Sequence, residues 1–215
     1  MGEAPATPAV ICKDLGPYIV SGLTDLKDPQ GNPVPTKPTI ALCRCGGSSK
    51  KPFCDGTHAK NGFDSAKQPD RAEDKIDTYV GKNITIHDNR SICAHAGVCT
   101  DNLAAVWRMN DEPWIDPDGA DAASIVAVIE GCPSGALSYT VDPAPARADA
   151  PPSIQALKDG PYLVIGEVAL EGEDWGHGAN RGQYTLCRCG ASKNKPFCDG
   201  SHWAVEFKDD GSGAG

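Results

Sequence analysis

Cys43-Arg-Cys-Gly-Gly-Ser-Ser-Lys-Lys-Pro-Phe-Cys-Asp-Gly-Thr-His58 is followed, 144 residues later, by Cys187-Arg-Cys-Gly-Ala-Ser-Lys-Asn-Lys-Pro-Phe-Cys-Asp-Gly-Ser-His202. The same offset carries Gly16-Pro-Tyr18 onto Gly160-Pro-Tyr162 and Phe63 onto Phe207, so one shift aligns about fifty residues without net insertion. The chain therefore holds two copies of one small domain, expected at 10–68 and 154–210. A different segment, 70–141, separates them, and a Pro/Ala-rich stretch at 142–153 reads as a semi-rigid linker.

Within each copy the Cys/His spacing is Cys-x-Cys-x8-Cys-x3-His. Three soft thiolates and one imidazole suit either Zn2+ or an iron–sulfur cluster. The first cysteine pair is too close in sequence to do more than share one metal atom or one cluster edge. Cys54 and His58, like Cys198 and His202, are spaced by one helical turn, which points both side chains the same way. Asp55 and Asp199 stand where an N-cap would start that turn, leaving backbone N–H groups aimed at a negatively charged site.

These residues resemble the CDGSH iron–sulfur domain of the mitoNEET family, whose pattern is Cys-x-Cys-x2-Ser/Thr-x3-Pro-x-Cys-Asp-Gly-Ser/Ala/Thr-His. The first copy matches at Cys43, Cys45, Ser48, Pro52, Cys54, Asp55, Gly56, Thr57 and His58. The second matches at Cys187, Cys189, Ser192, Pro196, Cys198, Asp199, Gly200, Ser201 and His202. The resemblance implies one [2Fe-2S] cluster per copy, with one iron held by two Cys and the other by Cys plus His. It also implies an α+β protein whose two β-rich CDGSH domains pair around a pseudo-twofold, with the insert looped out. Zinc clips on the same ligands are the alternative, separable because zinc is colourless and redox-silent.

A histidine ligand removes negative charge and raises the reduction potential. Rieske centres, with two histidines, reach roughly −150 to +300 mV against about −400 mV for plant-type all-Cys centres. Imidazole is also the ligand most easily lost to a proton, so both clusters should become labile below about pH 6–6.5, near the free imidazole pKa. Trp203 follows His202 where Ala59 follows His58, and reads as a core filler or a shield for the second site.

The middle segment carries Cys93-Ala-His-Ala-Gly-Val-Cys99 and a later Cys132-Pro133. Against the ferredoxin loop Cys-x2-Cys-x2-Cys, completed by a distant Cys-Pro, Ala96 stands in the place of the middle ligand. Strands are expected at 83–87 and 136–141, with a helix at 121–130 capped by Asp121. The segment resembles the divergent mono-cluster ferredoxin domain found beside CDGSH motifs. Three thiolates, Cys93, Cys99 and Cys132, suit a [3Fe-4S] cluster; a [4Fe-4S] cluster would need His95, water or another group, and His95 reads as a surface residue. Cys12 is left over as a structural thiol, since its counterpart under the repeat is Ala156, and His87 and His177 belong to no constellation.

Aromatic residues make up 6% of 215 residues, with 24 Gly and 18 Pro, which suits short elements joined by turns. Such thin cores gain from a bound metal. The ten cysteines are clustered with histidine rather than spaced for bridges, the pattern of metal sites in reduced compartments. A net charge of −9 disfavours nucleic acid and anionic membranes and would steer a basic partner. No apolar run approaches the roughly 20 residues of a membrane helix. Residues 1–7 carry no secretion pattern, and Ala6 stands where an N-myristoylation signal needs Ser or Thr, so a cytoplasmic protein is expected. No nucleotide fingerprint or nucleophile–base pair appears. The expectation is a non-enzymatic, monomeric electron carrier meeting a redox partner protein, the alternatives being [2Fe-2S] delivery to apo-proteins or a redox- and pH-sensing module.

Overall fold

The computed structural model describes residues 7–142, 150–176 and 181–211. Most of the expected linker and His177 lie outside the described residues. The first copy supplies β1 (Ala9–Cys12), β2 (Tyr18–Ser21), β3 (Leu26–Lys27) and β4 (Thr39–Leu42). The insert supplies β5 (Asp77–Val80), β6 (Thr85–Asp88), α1 (Val98–Asn102), α2 (Ala122–Glu130) and β7 (Leu137–Thr140). The second copy supplies β8 (Ser153–Ala156), β9 (Tyr162–Ile165), β10 (Ala169–Glu171), β11 (Gln183–Leu186) and α3 (Ser201–Ala204). The fold is α+β and mostly sheet.

The two copies exchange strands. One sheet runs β10-β1-β2-β4 and the other β11-β9-β8-β3, so each copy's third strand lies in its partner's sheet. β1 pairs parallel with β10, Val10 opposite Leu170, and β3 pairs parallel with β8, Leu26 opposite Ile154. Both edges are thereby covered, and the apolar faces merge into a single core. Val10, Val20, Leu26 and Leu42 from one copy meet Ile154, Val164, Leu170 and Leu186 from the other. At its centre the rings of Tyr18 and Tyr162, equivalent under the repeat, meet edge to face with centroids 6.1 Å apart.

The insert builds its own antiparallel sheet, β5-β6-β7, with α2 packed against it. Asp121 caps α2 as expected, accepting from Ser124 N at 2.9 Å. Trp107, Ile86, Ile115 and Ile125 are fully buried between the elements. The insert is not looped out, contrary to expectation. Ile92 and Ala136 join the core of the repeats. Asn194 Nδ2 donates to Ser91 O and Gln183 Nε2 donates to Cys132 O, both at 2.6 Å. Each of these bonds reaches the second copy, so the insert is docked there.

Candidate metal centres

Each Cys-x-Cys segment leaves the end of a strand, β4 or β11, and the second ligand pair follows a backbone crossing that returns the chain to it. Cys43 N donates to Pro52 O and Cys54 N to Ala41 O, both at 2.8 Å; Cys187 N to Pro196 O and Cys198 N to Thr185 O repeat the pattern. Ser48 Oγ and Ser192 Oγ brace the intervening loops by donating to Phe53 O and Phe197 O at 2.7 Å.

The expected N-cap role of the aspartates is corrected. Gly56 and Gly200 occupy the cap positions with φ of 88° and 85° and no side-chain cap bond. Asp55 instead straps the loop, accepting from Thr57 N and Oγ1 and from Ser49 N and Oγ. Asp199 does the same with Ser201 N and Oγ and with Lys193 N. These bonds hold the Asp55 carboxyl well below its ordinary value, the Thr57 hydroxyl contributing most. Backbone N–H groups also reach sulfur, among them Gly56 to Cys54 and Ala191 to Cys189, each at 3.4 Å.

The ligand atoms come as two close pairs per site. Cys43 and Cys45 sulfurs are 4.0 Å apart and Cys187 and Cys189 sulfurs 3.8 Å. Cys54 Sγ is 3.3 Å from His58 Nδ1, and Cys198 Sγ is 3.4 Å from His202 Nδ1. With metal–sulfur bonds of about 2.3 Å and tetrahedral angles, two thiolates on one atom lie roughly 3.8 Å apart. Each pair is therefore set to hold one metal atom, through Nδ1 on the histidine side. Among the described residues no three Cys, His, Asp or Glu side chains converge as one mononuclear ion would require.

Cys43, Cys187 and Cys198 are held in their neutral form until a cation compensates them, whereas the hydrogen bond with Cys187 lowers Cys189. Burial pushes Cys43 up to about 11 and Cys198 well above its ordinary value. The Cys189 hydrogen bond, then burial, does the same to Cys187. Metal binding at these sites must displace protons.

The two sites touch, and they differ in cover. A Cβ built on Gly46 would sit 2.5 Å from Cys189 O, and one on Gly190 would sit 2.7 Å from Cys45 O, so the two Cys-Arg-Cys-Gly segments lie back to back. The Tyr18 hydroxyl donates across the copies to Cys187 O at 2.8 Å, and Tyr162 to Cys43 O at 3.0 Å. Cys54 and His58 are half-buried, whereas Cys198 and His202 are buried. The extra cover over the second site comes from the insert. A Cβ on Gly200 would meet the His95 ring at 2.8 Å, and Trp203 Nε1 donates to His95 O at 3.2 Å. Trp203 is 61% exposed with its ring tilted over His202 at 4.9 Å, so it is not core filler but a clamp between insert and site. His95 is exposed as expected, yet its ring leans on Gly200 rather than standing free.

In the insert, Cys93, Cys99 and Cys132 line one cavity of about 350 Å³ with His95, Ala96, Asp88, Arg90 and Trp114 among its walls. Burial raises Cys93 and Cys99. Cys12 lies beside the repeat core, raised mainly by burial, and His87 Nε2 is 2.9 Å from Thr140 Oγ1, away from any site. Sequence reasoning passed over Asp88; its one signal is an acidic residue on the inward face of β6, next but one to buried Ile86.

A family model described as "Iron-binding zinc finger CDGSH type" matches residues 15–59 and 159–203. One described as "Divergent 4Fe-4S mono-cluster" matches residues 79–142. The uncharacterized protein YjdI of Escherichia coli, in strain K12 and in O157:H7, is 43% identical over 61 residues, spanning 28% of this chain and 80% of YjdI. No solved structure matches.

Proposed function

This chain belongs to the CDGSH iron-binding family, with a divergent 4Fe-4S mono-cluster domain between its two CDGSH domains, and we propose that it is a non-enzymatic electron carrier. When bound, each cluster would supply reversible one-electron chemistry. In this reading Cys43, Cys45, Cys54 and His58 hold one [2Fe-2S] cluster and Cys187, Cys189, Cys198 and His202 the other. Cys93, Cys99 and Cys132 hold the third, of three or four irons. The reciprocal strand exchange, repeated under the 144-residue offset, supports reading the copies as paired around a pseudo-twofold within one monomer.

The observation that carries the electron-transfer reading is that the segments bearing the three sites abut in series. His95, two residues from Cys93, leans on Gly200 inside the Cys198–His202 turn; Cys189 in turn abuts Gly46 beside Cys45. The chain thereby sets the middle site against the second CDGSH site, and that site against the first. Burial of His202 excludes water from the inner position, while half-buried His58 leaves the first site facing outward. The acidic surface favours a basic redox partner in the cytoplasm, and not nucleic acid or a membrane. Among the described residues no helix is long and apolar enough to cross a membrane.

Cluster delivery is the second reading, favoured by the openness of Cys54 and His58. One experiment separates them. Anaerobically purified protein is cycled between dithionite and a mild oxidant, then mixed with an apo-ferredoxin. Repeated reduction with iron retained supports electron transfer; spectral transfer to the acceptor, with the first site emptied, supports delivery.

A further inference from the structure

We propose that Asp88 is the fourth protein ligand of the middle site, completing with Cys93, Cys99 and Cys132 the set for a [4Fe-4S] cluster. The proposal rests on the reading that the insert holds an iron–sulfur cluster.

Asp88 closes β6 on the inward face of the sheet and is 1% exposed. Both its carboxylate oxygens are buried, and neither has a hydrogen-bond partner. Buried polar atoms are nearly always paired, because their lost hydration is otherwise uncompensated. The nearest cation does not satisfy it. Arg90 Nε stands 3.5 Å from Oδ2, while the guanidinium stacks on Trp114 at 4.2 Å and extends Nη1 towards Cys93 Sγ at 3.9 Å. Burial raises the carboxyl to about 6, with Arg90 pulling it partly back.

What Asp88 borders is the cavity of the three cysteines. Ferredoxin loops draw a fourth thiolate from the position that Ala96 occupies here, and a methyl group cannot ligate. Asp88 lines the same cavity, from the strand instead of the loop. An oxygen anion replaces the missing thiolate charge for charge, and iron at that corner would relieve the uncompensated burial, since a bound cation inverts the local cost of ionising a carboxyl. His95, the other imaginable donor, has its ring against Gly200.

The test uses the full chain, purified anaerobically with both CDGSH sites loaded, comparing wild type with Asp88→Asn and Asp88→Cys. Oxidised [2Fe-2S] and [4Fe-4S] centres are EPR-silent, whereas an oxidised [3Fe-4S] centre gives a sharp, nearly isotropic signal. Wild type should be silent. Asp88→Asn should lose one iron per chain and gain that signal, and Asp88→Cys should stay silent with full iron and a lower middle potential. Mössbauer spectra of 57Fe-loaded wild type should resolve one oxygen-ligated iron distinct from the other three, a readout that no variant's folding can compromise. An Asp88→Asn protein with unchanged iron and spectra, or four equivalent irons in wild type, overturns the assignment. A full three-iron signal from wild type does so too. A middle site without iron in wild type would instead sink the underlying reading, and is distinguished by an iron count that the CDGSH sites alone explain.

Discussion

Tyr18 and Tyr162 do at the scale of single residues what no ligand does. Each hydroxyl crosses the interface between copies and satisfies a carbonyl of the opposite Cys-x-Cys segment, Cys187 O and Cys43 O. Removing one buried donor leaves the acceptor unpaired, at a cost of about 1–3 kcal/mol. Tyr162→Phe should lower unfolding stability by that amount and loosen the first site, where its hydroxyl was bound; denaturant titration of the loaded protein, with iron retention followed at each site, checks both. Acid should also separate the sites. Burial holds the His202 imidazole below its ordinary value, Asp199 pulling it partly back, so the neutral, ligating form persists to lower pH. On acidification, visible absorbance from the second site should outlast that from the half-buried first, measured with the opposite site's cysteines replaced by serine. Trp203→Ala should narrow the gap. The close pairing of Cys43 with Cys45 and of Cys54 with His58 was legible in the sequence, because spacing alone brings each pair together. The tyrosines repeat just as faithfully, but a hydroxyl's partner across the chain leaves no mark on local sequence. Asp88 was passed over for a similar reason, since its place on the inward face of β6 is a weak signal until burial without a hydrogen-bond partner marks it out.

Elements were read well where they are periodic. α2 lies where expected, and β6 and β7 within a residue or two. β3 and β10, of two and three residues, carry no periodicity, and their partners sit in the other copy. Strand exchange is therefore a non-local fact, decided by edges that must be covered rather than by propensity. The docking of the insert is non-local too, built on side-chain amides such as Asn194 and Gln183. The two copies approach closely at Gly46, where φ is +76° and a Cβ would meet Cys189 O at 2.5 Å. Gly46→Ala should push the two Cys-x-Cys segments apart and reduce iron retention at both sites, although only one is mutated. Gly31→Ala, at φ +84° with open space around it, is the control for backbone strain alone and should leave both loaded.

At the scale of the whole molecule, two strand-exchanged copies and a docked insert bring three cysteine-bearing sites into one contiguous row, under a surface of net charge −9. A basic electron donor should therefore reduce the protein fastest at low ionic strength. Its rate should fall steeply between about 10 and 150 mM salt, as the Debye length shrinks from about 30 to 8 Å. Stopped-flow reduction across that range checks the prediction, and a salt-independent rate would remove the electrostatic case for such a partner. Beneath this lies the claim that paired thiolates and imidazoles here bind iron bridged by inorganic sulfide. Quantifying iron, zinc and acid-labile sulfide in anaerobically purified protein tests it most directly. Coloured protein with iron and sulfide in matching amounts at both CDGSH sites is the predicted result; colourless protein carrying stoichiometric zinc and no sulfide would contradict it.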